Sequence, residues 1–511
     1  MYSRIRSAVC IGIEGREVFV ETDISKGLPS INVVGLAQAT VMESKDRIKS
    51  AIINSGYEYP RTRITINLMP AELKKNSSSL DLPMALGILS SEMGLENGAL
   101  DGLAVIGELA LDGRVCYVRG ALPMLMHMKE YGVRKVIVPR DNLEEALLSG
   151  IDEIYPVSRL DESVRLVLNP DAQCYVRGNR ANLEKGNKSD DGVSQEFING
   201  MDFADISGQE NAKRAVLVAT AGRHGLLMVG SPGCGKTMLA GRIPGIMPAM
   251  DEHELIRTAV IRSIAGIGKG KDLASPIRPF RHPHHTIGLA GLLGGGSNTA
   301  LPGEITLAHN GVLFLDEICE FNKHVIEGLR IPLEEKSITH FRKGESFTYP
   351  CDFQLVMASN PCPCGYYGDK EKECRCTQAD IERYQSKLSG PIMDRIDMKI
   401  SMERVTYNQL TSGGGGMSTK EMKNAVARAR NFAFGMGRKG YNCDLTAVEA
   451  EKHCRLGRAE KKFMREAYTA LVMSPRGYMR TLRVARTIAD LAECRDINQE
   501  HLAEALSYRM P

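Results

Sequence analysis

The chain has 511 residues, of which 43% are hydrophobic and 25% charged, and its formal net charge is +3 at pH 7. This length exceeds that of one ordinary domain, so two or three domains are expected, and the small net charge restricts any nucleic-acid surface to a local patch. The absence of Trp argues against an aromatic platform for single strands. No run reaches the roughly 18 apolar residues of a membrane span, and the start has no secretory pattern. With 13 cysteines, the chain therefore fits a cytoplasmic protein with reduced thiols.

Composition divides the chain into four segments. Residues 1–168 alternate short β-rich runs with helical patterns, which predicts a mixed α/β domain. Residues 169–200 are polar and poor in large apolar side chains, as is typical of a linker. A second α/β unit is expected over residues 201–400, and the Arg- and Lys-rich remainder, 401–511, has a helical pattern. The predicted fold class is therefore α/β with a helical C-terminal domain.

A glycine-rich loop, GSPGCGKT, follows the apolar run LLMVG and precedes a helical pattern. Small residues let backbone N–H groups close around phosphates at a helix N-terminus, so this spacing predicts a nucleotide site. The expected phosphate cradle comprises Gly230, Ser231, Pro232, Gly233, Cys234, Gly235, Lys236 and Thr237. Lys236 is expected to reach the β- and γ-phosphates of ATP, and the Thr237 hydroxyl to ligate Mg²⁺.

Two further apolar runs end in polar residues suited to phosphate chemistry. GVLFLDEI, residues 311–318, predicts a buried strand that delivers Asp316 and Glu317 to the sheet edge. Asp316 is expected to hold Mg²⁺ and Glu317 to act as general base, whereas a solvated acidic pair is disfavoured by the wholly apolar strand. FQLVMASN ends on Asn360, which is suited to orienting the attacking water.

Between these runs lies SITHFRKGESFTYP, residues 337–350. Two short β-prone runs flank Arg342 and Lys343, which predicts a hairpin with a basic tip. Such a tip would grip DNA phosphates without sequence preference, and a solvated turn is an equally good interpretation from the sequence.

A cysteine cluster and a histidine run offer metal-ligating side chains. Cys362, Cys364, Cys374 and Cys376 form two C-x-C pairs in a polar segment directly after Asn360. Four thiolates suit a structural Zn²⁺ site that would hold the Asn360 strand end in place, and the alternative is a set of reduced thiols. The HPHH run, residues 282–285, contains a proline, which favours a structural or loop role over a metal site.

The order of these motifs resembles that of the AAA+ ATPases. The resemblance implies an arginine finger that acts on the neighbouring subunit's ATP, and Arg395 in SGPIMDRID matches it. It also implies a sensor-2 arginine in the lid, for which Arg476 is the first candidate and Arg480 the second. Ordinary surface ion pairs are the alternative for each arginine.

Longer strings narrow the resemblance to the magnesium-chelatase-like AAA+ proteins of the YifB/ComM type. They include RPFRHPHHT, LPGEITLAHNGVLFLDE, NPCPCGYYGD and RGYMRTLRVARTIADL, in the family's order. The resemblance implies an N-terminal domain similar to the Lon-protease (ribosomal S5 domain 2-like) fold, a doubly wound P-loop AAA+ sheet and a chelatase-type lid. It also implies a homohexameric ring and an ATP- and Mg²⁺-dependent motor, stimulated by DNA, in branch migration during transformation and recombination.

Two other functions remain open at this stage. One is a magnesium-chelatase motor subunit that acts with partner subunits, and the other is an ATP-dependent switch that binds a protein. DNA-stimulated ATP hydrolysis would distinguish the DNA motor from both of these alternatives. In related motors, a hairpin at this position faces the central pore of the ring. The resemblance therefore implies the same position for the hairpin that carries Arg342 and Lys343.

The N-terminal segment NSSSLDLPMALGILS resembles the region that bears the nucleophile in Lon-type proteases, and Ser79 matches its serine. That family pairs the serine with a lysine on a following helix. The corresponding stretch here has no lysine before Lys129, so we predict that the domain is not a protease and serves assembly or DNA contact.

Overall fold

The computed structural model describes most of the chain. The described residues are 2–35, 39–73, 78–95, 102–169, 175–177, 201–268, 270–296, 301–342, 345–369, 371–388, 390–407 and 416–509. The chain forms two compact units. The first comprises Met1–Asp190, Glu252–Pro276 and His340–Tyr349, and the second comprises Asp191–Asp251, Ile277–Thr339 and Pro350–Pro511.

The strands of the described residues are numbered in chain order. They are β1 Tyr2–Ile11, β2 Glu14–Ser25, β3 Ser30–Val34, β4 Arg63–Met69, β5 Leu103–Val105, β6 Glu108–Leu109, β7 Val115–Cys116, β8 Lys135–Pro139, β9 Glu153–Val157, β10 Val176–Arg177, β11 Leu226–Gly230, β12 Phe280–Arg281, β13 Gly294–Gly295, β14 Leu301–Pro302, β15 Val312–Leu315, β16 Ser337–Arg342, β17 Glu345–Pro350, β18 Gln354–Ser359 and β19 Met398–Met402.

The α-helices are numbered in the same way. They are α1 Ala39–Asn54, α2 Asp81–Glu92, α3 Ala121–Glu130, α4 Leu143–Ser149, α5 Leu160–Leu168, α6 Glu210–Gly222, α7 Lys236–Ile246, α8 Glu252–Ala265, α9 Leu289–Leu293, α10 Glu304–Leu307, α11 Lys323–Gly328, α12 Arg330–Glu335, α13 Gln378–Gln385, α14 Gly390–Met393, α15 Thr419–Gly435, α16 Ala447–His453, α17 Arg458–Ala470, α18 Pro475–Leu491 and α19 Gln499–Ser507. Short 3-10 segments cover Ser78–Leu80, Arg140–Asn142, Phe203–Asp205, Gly270–Ala274, Ile318–Glu320 and Asn442–Asp444. Among these helices, none is both long and apolar enough to cross a lipid bilayer.

An eight-stranded mixed sheet organises the first unit. Its strand order is β10-β9-β8-β5-β1-β2-β4-β3, with β1 antiparallel to β2 and with β5, β8 and β9 parallel to one another. Buried and more exposed side chains alternate along β2 and β4, as expected for strands with one face on a core. Helix α2 is buried over nearly its whole length, and its apolar side chains join that core.

Helix α8 belongs to the first unit although it follows the P-loop helix in the chain. The Ser263 hydroxyl donates to Glu145 Oε2 at 2.7 Å, and the Gly120 amide donates to the Ser263 carbonyl oxygen at 3.1 Å. Glu145 also accepts from the Tyr117 hydroxyl at 2.8 Å and the Leu122 amide at 2.9 Å. Burial raises the pKa of this carboxyl group, although these donors favour its charged form. A buried, hydrogen-bonded carboxylate therefore fastens α8 to α3 and α4.

A five-stranded parallel sheet forms the centre of the second unit. Its order is β12-β15-β18-β11-β19, and every neighbouring pair is parallel. Strands β15 and β18 are buried along their whole length, which explains their continuous apolar runs. Because the strands share one direction, the residues that follow β11, β15 and β18 gather at one edge of the sheet. The predicted parallel α/β sheet is therefore confirmed.

Helices α15 to α19 form the predicted helical lid of the second unit. Helix α15 starts with a capping box in which Ser418 and Glu421 satisfy each other's backbone amides, and α18 starts at Pro475 after the N-cap Ser474. Apolar side chains of α15 and α18 share one hydrophobic cluster with helix α6. The lid therefore packs directly on the helix that precedes the P-loop strand.

Candidate ATP site

The glycine-rich loop joins strand β11 to helix α7, as the sequence predicts. Helix α7 begins at Lys236, and its N-cap residue Gly235 has φ +94°, a left-handed conformation that favours glycine. The first backbone N–H groups of α7 thus face the loop residues 231–235, where an anionic group is stabilised by the helix N-terminus. This strand-loop-helix geometry is that of a phosphate cradle.

Lys236 is held inside this cradle by backbone and side-chain oxygens. Its ammonium group donates to the Gly230 carbonyl oxygen at 2.6 Å and to the Ser231 carbonyl oxygen at 3.2 Å. It also donates to Asn360 Oδ1 at 3.1 Å. The structure therefore brings together the predicted phosphate-binding lysine and the predicted water-orienting asparagine, although 124 residues separate them.

The two predicted magnesium ligands are hydrogen-bonded to each other. Thr237 Oγ1 donates to Asp316 Oδ2 at 2.6 Å. A hydroxyl and a carboxylate are the oxygen ligands that suit Mg²⁺, so these residues fit the predicted cation site. Glu317 follows with φ +50°, an uncommon backbone conformation for this residue type, and its backbone amide donates to Asp316 Oδ1 at 2.9 Å.

The histidine run reaches this site, which the sequence interpretation did not foresee. His285 Nδ1 lies 3.7 Å from Glu317 Oε2, while the His282 ring packs 4.8 Å from the Phe314 ring. Strand β12 pairs in parallel with β15, so the residues after both strands meet at the same sheet edge. His282 and His284, whose Nδ1 lies 2.9 Å from Thr286 Oγ1, make contacts that fit the predicted structural or loop role, whereas His285 lies beside the proposed site.

The segment after Asn360 packs on the glycine-rich loop. Ser231 Oγ donates to Asp369 Oδ2 at 2.7 Å. A Cβ atom on Gly365 would lie 2.7 Å from Pro232 Cδ, so the two backbones approach each other closely at this point. The Ser231 hydrogen bond, followed by backbone donors and the charge of Arg404, lowers the pKa of Asp369 to about 2. Asp369 is therefore a carboxylate at any physiological pH.

The four predicted zinc ligands converge in this same segment. Their ligand atoms all lie within 4.8 Å of one another, and Cys362 Sγ is 3.4 Å from Cys364 Sγ and 3.6 Å from Cys374 Sγ. The backbone amide of Arg375 is the main reason that the pKa of Cys364 is lowered. The structure thus confirms that the thiols of Cys362, Cys364, Cys374 and Cys376 form one cluster.

The predicted finger and sensor arginines lie together in a separate cleft of about 510 Å³. Arg395 and Arg476 both line it, and Arg395 also pairs with Glu334. Its lining includes Gly225, which precedes β11, and Asp352, which precedes β18, so it opens at the edge where these strands begin. The described residues of the loop 230–237 do not line it.

Arg480, the second sensor candidate, is 7% exposed and bonded to backbone. It donates to the Met393 carbonyl oxygen at 3.0 Å and the Ile396 carbonyl oxygen at 2.5 Å. Arg480 thereby ties lid helix α18 to the segment that carries Arg395, and burial lowers its pKa. Its contacts are those of a positioning residue, so Arg476 is left as the sensor candidate.

The predicted DNA-gripping residues lie at the β16–β17 hairpin. The strands form the predicted two-stranded sheet, but Lys343 and the side chain of Arg342 lie outside the described residues. At the base of the hairpin, Tyr349 is buried, and a Cβ atom on Gly12 would lie 3.2 Å from Phe347 Cδ1. Strand β17 therefore packs on the β1–β2 turn at Phe347, and both of these segments belong to the first unit.

Ser79, which matches the Lon serine, is 1% exposed, and its hydroxyl donates to the Ala8 carbonyl oxygen at 3.4 Å. Lys129, the first lysine after it, pairs with Asp152 at 2.8 Å. The absence of protease activity stays a prediction.

This fold and site define a class: a P-loop protein of the AAA+ type with an added α/β unit and a helical lid. Three family models match the chain. The model described as "Subunit ChlI of Mg-chelatase" matches residues 20–142, "Magnesium chelatase, subunit ChlI" matches 202–410, and "Magnesium chelatase, subunit ChlI C-terminal" matches 416–509.

Curated relatives narrow the class further. The Escherichia coli (strain K12) protein named "Uncharacterized protein YifB" is 39% identical over 99% of this chain and 97% of its own length. The Haemophilus influenzae "Competence protein ComM" is 37% identical over 99% of this chain and 97% of its own length. A "Lon protease" of Leptospira interrogans is 28% identical over 31% of this chain and 19% of its own length. The chain belongs to the YifB/ComM-type family of magnesium-chelatase-like AAA+ proteins.

Proposed function

We propose that the protein is an ATP-hydrolysing ring motor that remodels DNA. In this proposal Lys236 holds the β- and γ-phosphates, and Thr237 and Asp316 hold the Mg²⁺ that neutralises phosphate charge. Glu317 accepts a proton from the attacking water, and Asn360 orients that water. The hydrogen bonds among these side chains support their assignment to one site.

One observation carries the proposal of a ring: the cradle and the arginine cleft lie at opposite edges of the same sheet. Gly230 ends strand β11 at the cradle, and Gly225 precedes that strand at the cleft. Five residues of extended chain span about 16 Å, which exceeds the reach of an arginine side chain. Arg395 and Arg476 therefore serve a neighbouring subunit's ATP in our proposal, because their own phosphates lie at the far edge.

Mixing two inactive variants tests this arrangement. Lys236→Ala removes the cradle, and Arg395→Ala removes the finger, so each variant alone should lose about 10³-fold or more in turnover. In mixed rings, an intact cradle from one variant meets an intact arginine from the other, and part of the ATPase activity should return. Arg428→Ala, an exposed lid arginine, is the matched control and should keep full activity. Full turnover by a proven monomer would contradict the proposal.

The proposed DNA role rests on the family and on the basic hairpin tip. A relative named as a competence protein is 37% identical to the chain, and the resemblance stated above implies branch migration. We expect forked or four-way DNA to stimulate ATP hydrolysis, and expect Arg342→Glu with Lys343→Glu to abolish that stimulation at moderate salt. Unchanged stimulation in this variant would reject the hairpin as the grip.

The names of the matched family models favour a second candidate, a chelatase motor that acts with partner subunits. That function predicts ATP hydrolysis that responds to a partner protein and not to DNA. Measured turnover with and without DNA therefore separates the two candidates. We propose no protease activity for the first unit, because Ser79 and Lys129 are bonded to other groups.

We also propose that the cysteine cluster holds a structural Zn²⁺. The edge of a tetrahedron with Zn–S distances near 2.3 Å is about 3.8 Å. The sulfurs of Cys362, Cys364 and Cys374 are 3.4–3.6 Å apart, and all four sulfurs lie within 4.8 Å of one another. Purified protein should contain about one zinc per chain. Cys364→Ser together with Cys374→Ser should lose it, and Cys494→Ser, outside the cluster, should keep it. Metal-free wild-type protein would reject the site.

A further inference from the structure

The segment from Pro361 to Thr377 links the cysteine cluster to the ATP cradle. It begins directly after Asn360, whose side chain accepts a hydrogen bond from Lys236, and it ends at helix α13. None of its described residues belongs to a helix or strand, so its conformation depends on side-chain contacts. The segment contains all four cysteines of the cluster, whose sulfur atoms lie within 4.8 Å of one another.

This segment contacts the cradle at two points beyond Asn360. The Asp369 carboxylate, with a side chain that is 3% exposed, accepts from Ser231 Oγ at 2.7 Å. The backbone of Gly365 approaches Pro232 so closely that a Cβ atom would overlap it. Within the described part of the chain, the Ser231 hydroxyl forms no other side-chain hydrogen bond. The conformation of the cradle therefore depends in part on this segment.

A second set of contacts fixes the carboxylate itself. Arg404 Nε lies 3.3 Å from Asp369 Oδ2, and its guanidinium group lies 5.5 Å from the centre of the Tyr366 ring. The backbone amides of Glu371 and Lys372 donate to Asp369 Oδ1 at 2.9 and 3.1 Å. Asp369 lies five residues from Cys364 and five from Cys374, so the cluster closes the turn around it.

We infer that Asp369 is a positioning residue of the ATP site, and that a divalent metal ion held by the four cysteines keeps it in place. This inference deepens the proposed ATPase function and depends on it. The four cysteines form no disulfide, so without a cation bound to their sulfurs the turn has no cross-link. The Asp369 carboxylate then no longer restrains Ser231, and the cradle must be ordered when ATP binds, at a cost in affinity.

The test measures ATP affinity, zinc content and turnover on the full-length protein. Asp369→Asn should weaken binding of a fluorescent ATP analogue by about 3- to 10-fold, the effect of one charge-assisted hydrogen bond. KM should rise with it, kcat should change by less than about twofold, and zinc content should be unchanged. Glu373→Gln makes the same charge change at an exposed carboxylate of the same segment and should bind ATP like the wild type.

Two further measurements separate the inference from its alternatives. Ser231→Ala should weaken binding by the same factor as Asp369→Asn, and the double variant should weaken it no further, because the two side chains form one bond. Removing zinc with a chelator should weaken binding at least as much, and restoring Zn²⁺ should reverse this. If metal-depleted protein and Asp369→Asn both bind the analogue as tightly as the wild type, the inference is wrong. If the wild-type protein binds no ATP, the proposed ATPase function itself is wrong.

Discussion

His285 Nδ1 lies 3.7 Å from Glu317 Oε2, at the edge of the sheet where strands β12 and β15 end. Glu317 is half exposed, and its backbone has the left-handed φ of +50°. A carboxylate that must receive a proton from water needs a fixed direction, and an imidazole beside it restricts its rotamers. His285 therefore supports the proposed general base from the segment that follows the neighbouring strand β12.

We expect His285→Ala to lower kcat for ATP hydrolysis by roughly tenfold, or about 1.4 kcal/mol in the activation barrier. The KM for ATP should change little, because the His285 ring lies beside the proposed base and the Phe321 ring. His324→Ala removes an exposed imidazole on α11 and serves as the control with near-normal kcat. Equal turnover in both variants would show that His285 does not position Glu317.

Glu317→Gln should bind ATP normally and hydrolyse it about 10²- to 10⁴-fold more slowly, because the amide cannot accept a proton. Binding of a fluorescent ATP analogue and phosphate release would measure the two effects separately. Glu320→Gln is the matched control, because this exposed carboxylate lies three residues away and 4.0 Å from Lys387. Normal turnover in Glu317→Gln would remove this residue from the role of base.

Arg476 and Arg480 should respond differently to substitution, although they lie one helical turn apart on α18. Arg480→Met leaves the carbonyl oxygens of Met393 and Ile396 without their donor and should lower the free energy of unfolding by about 1–3 kcal/mol. Arg476→Ala should leave thermal stability within error and lower ATP turnover. Denaturation and ATPase assays on both variants distinguish a positioning residue from one that contacts nucleotide. A stable Arg480→Met protein with lost turnover would reverse the two roles.

The parts of the site that follow apolar strands were predictable from the sequence. Strands β11 and β15 are apolar runs and β18 has the apolar centre LVMA, and each strand is followed directly by the residue that the site uses, as with Asp316 and Asn360. Such a run predicts a buried parallel strand, and the parallel direction places the ends together. At these points the local sequence pattern is enough to predict the tertiary position. The helical lid is likewise predictable from a local pattern, its helical periodicity.

The remaining contacts depend on tertiary packing that no local pattern encodes. Asp369 contacts Ser231 across 138 residues, and nothing in its own segment distinguishes it from the other charged residues there. Burial separates Arg480 from Arg476, yet both belong to the same amphipathic helix. Helix α8 has an ordinary helical sequence, and its packing with the first unit shows only in tertiary contacts such as the hydrogen bonds of Ser263 with Glu145 and Gly120.

The stability of the first unit should depend on pH through Glu145. Burial raises the pKa of this carboxyl group above its ordinary value of 4.5, so the folded state holds its proton more tightly than the unfolded state does. The stabilisation linked to this proton is therefore complete below about pH 4.5 and is lost as pH rises through the folded-state pKa.

Glu145→Gln cannot titrate at this position, so comparison with the wild type isolates the effect. The free energy of unfolding of the wild type, minus that of Glu145→Gln, should fall as pH rises from 4 to 7. Urea denaturation, monitored by hydrogen exchange at the backbone amides of α3 and α4, would measure this difference locally. A local measurement is needed because the chain has two units, which need not unfold together. Glu144→Gln, at the neighbouring residue of α4, is the control, and its difference from the wild type should stay flat over the same range. A difference that rises with pH for Glu145→Gln would mean that the donors from Tyr117, Leu122 and Ser263 outweigh burial and keep the carboxylate charged.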